Sequence, residues 1–215
     1  MRSPFLLYSG LFLLTACSVS SVNVLERKET PKPFAKIMTV YIDGDIDFAV
    51  FDSLTYNICI RPAFQDTGSL FVRSNTETLL SDGLASPRSA IVRSTDFFGL
   101  DMNSFAGFNA EMDSLGVDAV LLIHRHRYTH KLHELSPAFS EGSPVQTYMP
   151  TRSHSTPNGA FACYLFKPHE YLPVWKGEIE VKGKGYNGDK MMNPAMVVNL
   201  EKSLVAGGYL TPHRQ

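Results

Sequence analysis

The chain has 215 residues, 44% hydrophobic and 11% aromatic, with a formal charge of −1. That is material for one ordinary globular core, and it argues against a wholly disordered chain. The near balance of 20 basic and 21 acidic residues leaves no electrostatic footprint for nucleic acid and no polybasic patch for anionic lipid.

The first element is a leader. Met1-Arg2-Ser3-Pro4 carries one positive charge, and Phe5 to Leu14 is apolar apart from Ser9 and Gly10. This is the anatomy of a secretory signal over 1–16, and it is too short for the roughly 20 residues of a bilayer span. Leu14-Thr15-Ala16-Cys17 resembles the bacterial lipobox, which implies diacylglycerol on the Cys17 sulfur and cleavage before it. An ordinary signal followed by an unmodified cysteine and an uncleaved anchor helix are the alternatives; polar residues resuming at Ser18 argue against the second. Two or three acyl chains, each methylene contributing about 0.8 kcal/mol, would hold the protein to a membrane permanently. Ser18, where the enterobacterial sorting pattern has aspartate for inner-membrane retention, points to the outer membrane.

Residues 17–35 read as the lipidated cysteine and a flexible tether, polar and without periodicity, with Pro31 and Pro33 near its end. A single α/β domain is expected over 36–215. Ile37 to Ile42 predicts a strand stopping at Asp43-Gly44. A helix from Asp47 follows, with Phe48, Phe51, Leu54, Thr55 and Ile58 on one face and Pro62 as its latest end. Ser69 to Arg73 reads as a second short strand, and in 74–98 the only strand candidate is Ala90 to Arg93. From Asp101, Phe105, Phe108, Met112 and Leu115 mark a helix capped by Gly116, and Val117 to Ile123 predicts a buried strand.

Residues 131–158 hold Pro137, Pro144, Pro150 and Pro157 among many Ser and Thr, and read as a long loop, a feature that is usually functional or mobile. Ala160 to Phe166 and Val174 to Val181 predict a hairpin-like strand pair, and the alternation of the second places Trp175 in the core or at its edge. Asn193 as cap, Pro194 at the first position, the stripe Val197, Leu200 and Leu204, and Gly207-Gly208 predict a closing helix. This order describes a small, mixed sheet with helices packed on it.

The lipobox, the strand-helix-strand stretch from Ile37 to Val72, the run Glu111 to Leu121, the strand Leu172 to Gly177 and the closing helix ending in Gly-Gly together resemble a group of small envelope lipoproteins. The group includes the penicillin-binding-protein activators, the curli secretion lipoprotein and the amino-terminal domain of the Tol-Pal translocation protein. The resemblance covers about two thirds of the chain and rests on pattern alone. It implies an anticodon-binding-domain-like α/β fold and a role as a noncatalytic adaptor or assembly factor, with another envelope protein or a second copy as partner.

Candidate chemistry centres on the run His124 to His133. A continuous strand would place His124, His126, Tyr128 and His130 on one face, and His124 with His126 is a possible ligand pair for zinc or copper in a metal-binding or metal-dependent hydrolytic protein. An exposed cationic strand end is the plainer alternative, since Arg125, Arg127 and Lys131 would repel a cation. Cys59 and Cys163, both in apolar stretches, are a possible disulfide or simply small buried side chains.

Gly183 to Gly188 matches the dinucleotide-binding spacing G-x-G-x-x-G, but only 27 residues follow and no further strand is predicted, so it reads as a turn. Asp43, Asp45 and Asp47 suggest a calcium loop, but Leu54 stands where its last carboxylate belongs. No familiar nucleophile, zinc-protease or phosphate-cradle motif is present. No catalytic residue and no cofactor are expected.

Overall fold

The computed structural model describes residues 19–28, 32–44, 50–98, 104–133, 154–182 and 192–212; at 19, 126–133, 154–159 and 182 it describes the backbone only. The expected α/β class is what these residues form. Six strands make one mixed, open sheet in the order β1-β6-β5-β4-β2-β3. They are β1 (Val19–Arg27), β2 (Lys36–Ile42), β3 (Ala90–Arg93), β4 (Ala119–His133), β5 (His154–Phe166) and β6 (Trp175–Lys182). β2 runs parallel to both β3 and β4, and the other pairings are antiparallel.

Period-two alternation explains how both faces of the central strands are buried. Along β2, Ile37 and Tyr41 belong to the core on one side, while Met38, Val40 and Ile42 belong to the core on the other. The first side is covered by α3 (Leu70–Leu84) through Leu80 and Leu84, and by α5 (Pro194–Ala206) through Met196, Leu200 and Leu204. The second side is an aromatic layer. Tyr56, Ile60 and Phe64 come from one helical stretch, α1 (Ser53–Thr55), a π-helical turn (Tyr56–Ile60) and α2 (Arg61–Gln65). Phe108 and Met112 come from α4 (Phe105–Leu115). Phe98 and Phe108 sit 4.9 Å apart, and Phe51 meets Phe166 at 5.2 Å. Each such side chain contributes about 1.5–3 kcal/mol when fully buried.

Helix ends follow the expected chemistry where the sequence offered a cap. The Asn193 side chain accepts from the Met196 N–H at 3.0 Å, with Pro194 at the first position. Ser104 caps α4 by accepting from Gly107 N–H at 3.0 Å, and Gly116 closes the helix at φ +63°. At that angle a Cβ is strained, so glycine is the natural residue. Trp175 is fully buried, and its ring lies so close over Gly177 that a Cβ there would sit 2.6 Å from it.

Four expectations need correction. Residues 19–27, expected as tether, form β1, which pairs with β6 and receives two hydrogen bonds from Asn199 at Ser20. As an edge strand with mostly exposed side chains it lacks the apolar rhythm of a core strand. Ser69 to Arg73, expected as a strand, caps and begins α3, whose buried positions are Arg73, Thr76, Glu77, Leu80 and Leu84. Helical spacing is there, but its first half is polar, and Phe71, which suggested β structure, is 71% exposed. Pro62 does not end the first helix. It falls at the start of α2, just after a turn whose Arg61 N–H bonds to Tyr56 O, and the missing proline N–H costs little there. The loop expected over 131–158 is shorter, because His133 pairs with His154 and Asn158 with Thr129. Pro157 lies one residue beyond the last described β5–β6 pair, Asn158 with Lys182.

Candidate functional site

The histidine run begins inside the protein. His124 on β4 lies between Ile42 of β2 and Ala162 of β5, and its side chain is fully buried. Its ring stacks on Tyr164 at 5.7 Å and 12°, and Nδ1 is 3.3 Å from the Gly44 carbonyl. Next to it Arg125 stands 3.5 Å from Asp43. Both contacts tie the turn after β2 to β4. Asp43 is therefore engaged by an arginine, and Asp45 and Asp47 lie outside the described residues.

The possible metal pair at His124 and His126 assumed unbroken alternation along β4, and the pairing with β5 is irregular at that point. The register shifts between Arg125 and Arg127: Arg125 pairs with Phe161, and Arg127 already pairs with Ala160. The side chain of His126 itself lies outside the described ones. No group of three potential metal ligands occurs among the described residues. The Gly183 to Gly188 motif and Cys17 also lie outside them.

Cys59 and Cys163 are both free thiols. Cys163 is in the core on the α3–α5 side, while Cys59 packs against the aromatic core on the opposite side of the sheet. The bond their apolar surroundings left open is not made in this structure. Burial pushes both thiols up from their ordinary pKa, so neither is an activated nucleophile.

One polar cluster escaped the sequence reading. Glu77 on α3 is fully buried and accepts from Ser94 Oγ at 2.6 Å, Thr95 N–H at 2.8 Å and Tyr41 N–H at 3.1 Å. Pairing of β3 to β2 stops at Thr39, so the carboxylate extends the ladder where the strand has ended. Burial raises its pKa, while those three bonds and Arg73 pull the other way. Arg73, also buried, lies 4.7 Å over the Phe64 ring, and its guanidinium donates to Phe98 O at 3.2 Å. The only sequence signal was helical spacing, Arg73 and Glu77 one turn apart. Their described contacts fasten α3 to β2 and to the segments at Ser94–Thr95 and Phe98.

Four of the exposed apolar side chains lie close together, and others, such as Phe71, Phe97 and Val198, stand elsewhere. Leu54 and Ile58, one helical turn apart, are each 64% exposed. Phe51 N–H donates to Tyr171 O at 2.8 Å, bringing exposed Tyr171 and Leu172 of the β5–β6 connection beside α1. In the same connection His169 adopts φ +62° and its Nε2 is 2.9 Å from Asp113 of α4.

No protein-family model and no curated protein sequence matches the chain. Among solved structures it is similar to the PelC dodecamer from Paraburkholderia phytofirmans, with TM-score 0.44 and 9% identity over 92% of this chain and 100% of that one. It is also similar to lipoprotein GNA1162 from Neisseria meningitidis, with TM-score 0.37 and 14% identity over 80% and 96%. Neither likeness assigns a family.

Proposed function

We propose that this chain is an envelope lipoprotein, held in the outer membrane through Cys17, that serves as a noncatalytic adaptor or assembly factor. Its partner is another envelope protein or a further copy of the chain. The observation that carries the reading is Leu14-Thr15-Ala16-Cys17 directly after an apolar leader, with strand structure beginning two residues later at Val19. Exposed Leu54, Ile58, Tyr171 and Leu172 support a docking role, since apolar side chains covered by a partner contribute about 1.5–3 kcal/mol each on full burial.

The test is crosslinking in intact cells with identification of the captured protein, using wild type and a Leu54→Lys, Ile58→Lys double variant. A single envelope protein, or the chain itself, should be captured by wild type and much less by the variant, with unchanged urea stability. Equal capture by both removes this surface from the proposal, and a wild-type amino-terminal peptide without lipid mass removes the anchor.

A further inference from the structure

We infer that the end of the sheet where β1 begins faces the membrane, and that the outer part of the β4–β5 hairpin lies against the phosphates of the lipid headgroups. This rests on lipidation of Cys17. Val19 pairs with Lys182, Lys182 with Asn158 and Asn158 with Thr129, which draws one line across β1, β6, β5 and β4. At that line the described parts of β1 and β6 stop. β4 and β5 continue together through four more pairs, from His130↔Pro157 to His133↔His154.

β1 and β5 run in the same direction, each antiparallel to β6, so the extra pairs project the way the chain leads back from Val19 to Cys17. Four residues of strand extend about 13 Å. The two steps from Val19 to Cys17 span at most about 7 Å. A membrane that takes up the lipid on Cys17 therefore meets the hairpin at the same depth, with no slack to hold it away.

Composition fits that position. β4 and β5 contain no Asp or Glu, while Arg127, His130, Lys131, His133 and His154 fall on the projecting part or its base and Lys182 ends β6 beside it. A surface of lipid phosphates attracts such a segment, and arginine and lysine both suit phosphate oxygens. The opposite end of the sheet, with Tyr171 and Leu172, then points away from the membrane and stays open to a partner.

The lipidated chain, reconstituted into vesicles of phosphatidylethanolamine and phosphatidylglycerol with brominated acyl chains, tests the orientation. Leu132→Trp should add blue-shifted emission that the bromines quench, over the background of Trp175, and Leu172→Trp should add emission that they leave unquenched. In the Leu132→Trp chain, Arg127→Glu with Lys131→Glu should reduce the quenching without changing the lipid mass. Equal quenching at 132 and 172, or more at 172, overturns the orientation alone. Absence of lipid on the amino-terminal peptide overturns it together with the anchor on which it rests.

Discussion

Tyr209→Phe removes one oxygen and leaves the ring, which makes it a clean probe of how the two chain ends are joined. The Tyr209 side chain is fully buried. Its hydroxyl lies 2.5 Å from Lys28 O and 2.9 Å from Val174 O, and accepts from Lys28 N–H at 3.2 Å. A hydroxyl has one proton, so the two carbonyls share it. Lys28 N–H also donates to Val174 O at 2.8 Å and keeps that bond in the variant. The ring stays stacked on Phe34, whose N–H donates to Tyr209 O. What is lost is one shared donor and one acceptor, with no new cavity beyond the oxygen. That should cost about 1–2 kcal/mol. For a chain of this size the Tm should fall by about 2–8 °C. Urea unfolding of residues 18–215 measures it, with the midpoint falling at constant slope. Amide exchange should accelerate first at Lys28 and along β1. A loss below about 0.5 kcal/mol, the range of ordinary surface changes, would refute the view that this hydroxyl fastens the start of the chain to its end.

Glu77→Ala should destabilise by about 3 kcal/mol or more in urea, because Tyr41 and Thr95 lose a buried acceptor and Arg73 loses its counter-charge. Glu77→Gln exposes the pH linkage: burial raises the native carboxyl pKa, so the native state takes up a proton before the unfolded chain does. Wild type should then gain stability over Glu77→Gln as pH falls from the raised native value to the ordinary one, and a gap that narrows on acidification would contradict this. Gly83→Ala should cost about 1–3 kcal/mol despite the better helix propensity, because the new Cβ would meet Val197 Cγ1 at 2.5 Å where α3 packs on α5; combining it with Val197→Ala should recover most of the loss. Cys17→Ser should yield an amino-terminal peptide without lipid mass and a domain that fractionates as soluble, and unchanged membrane association would count against the anchor.

The sequence disclosed elements wherever one physical signal acted alone. α5 was visible from end to end because Asn193, Pro194, the Val197–Leu200–Leu204 stripe and the paired glycines all state the same thing. β4 was visible as far as Ile123 because its core part is uniformly apolar. Beyond that point the pairing with β5 is irregular, and such a shift leaves no compositional mark. α3 was hidden because its inward stripe opens with Arg73, Thr76 and Glu77, and the two charged ones are buried only because distant backbone groups receive them. β1 was hidden for the related reason that its partners lie at the other end of the chain. At the candidate site, the residue types around His124 were legible, but the turn of its ring onto Tyr164 and Gly44 depends on contacts between strands that no local pattern encodes.

The pairing of β1 has a consequence for the order in which the molecule can be assembled. All of its ladder partners lie in β6, between Trp175 and Lys182, and the helix that covers it begins at Pro194. A chain made from its amino terminus has this strand first and can seat it only after some 150 further residues exist, by counting along the sequence. Contacts so distant along the chain form slowly, because the intervening loop must close before they stabilise anything. Until then β2, β3 and β4 can pair, while β1 remains an open edge in search of a partner. The sheet is thus completed from its β3 edge toward β1, and the strand that comes first along the chain is among the last to be set in place.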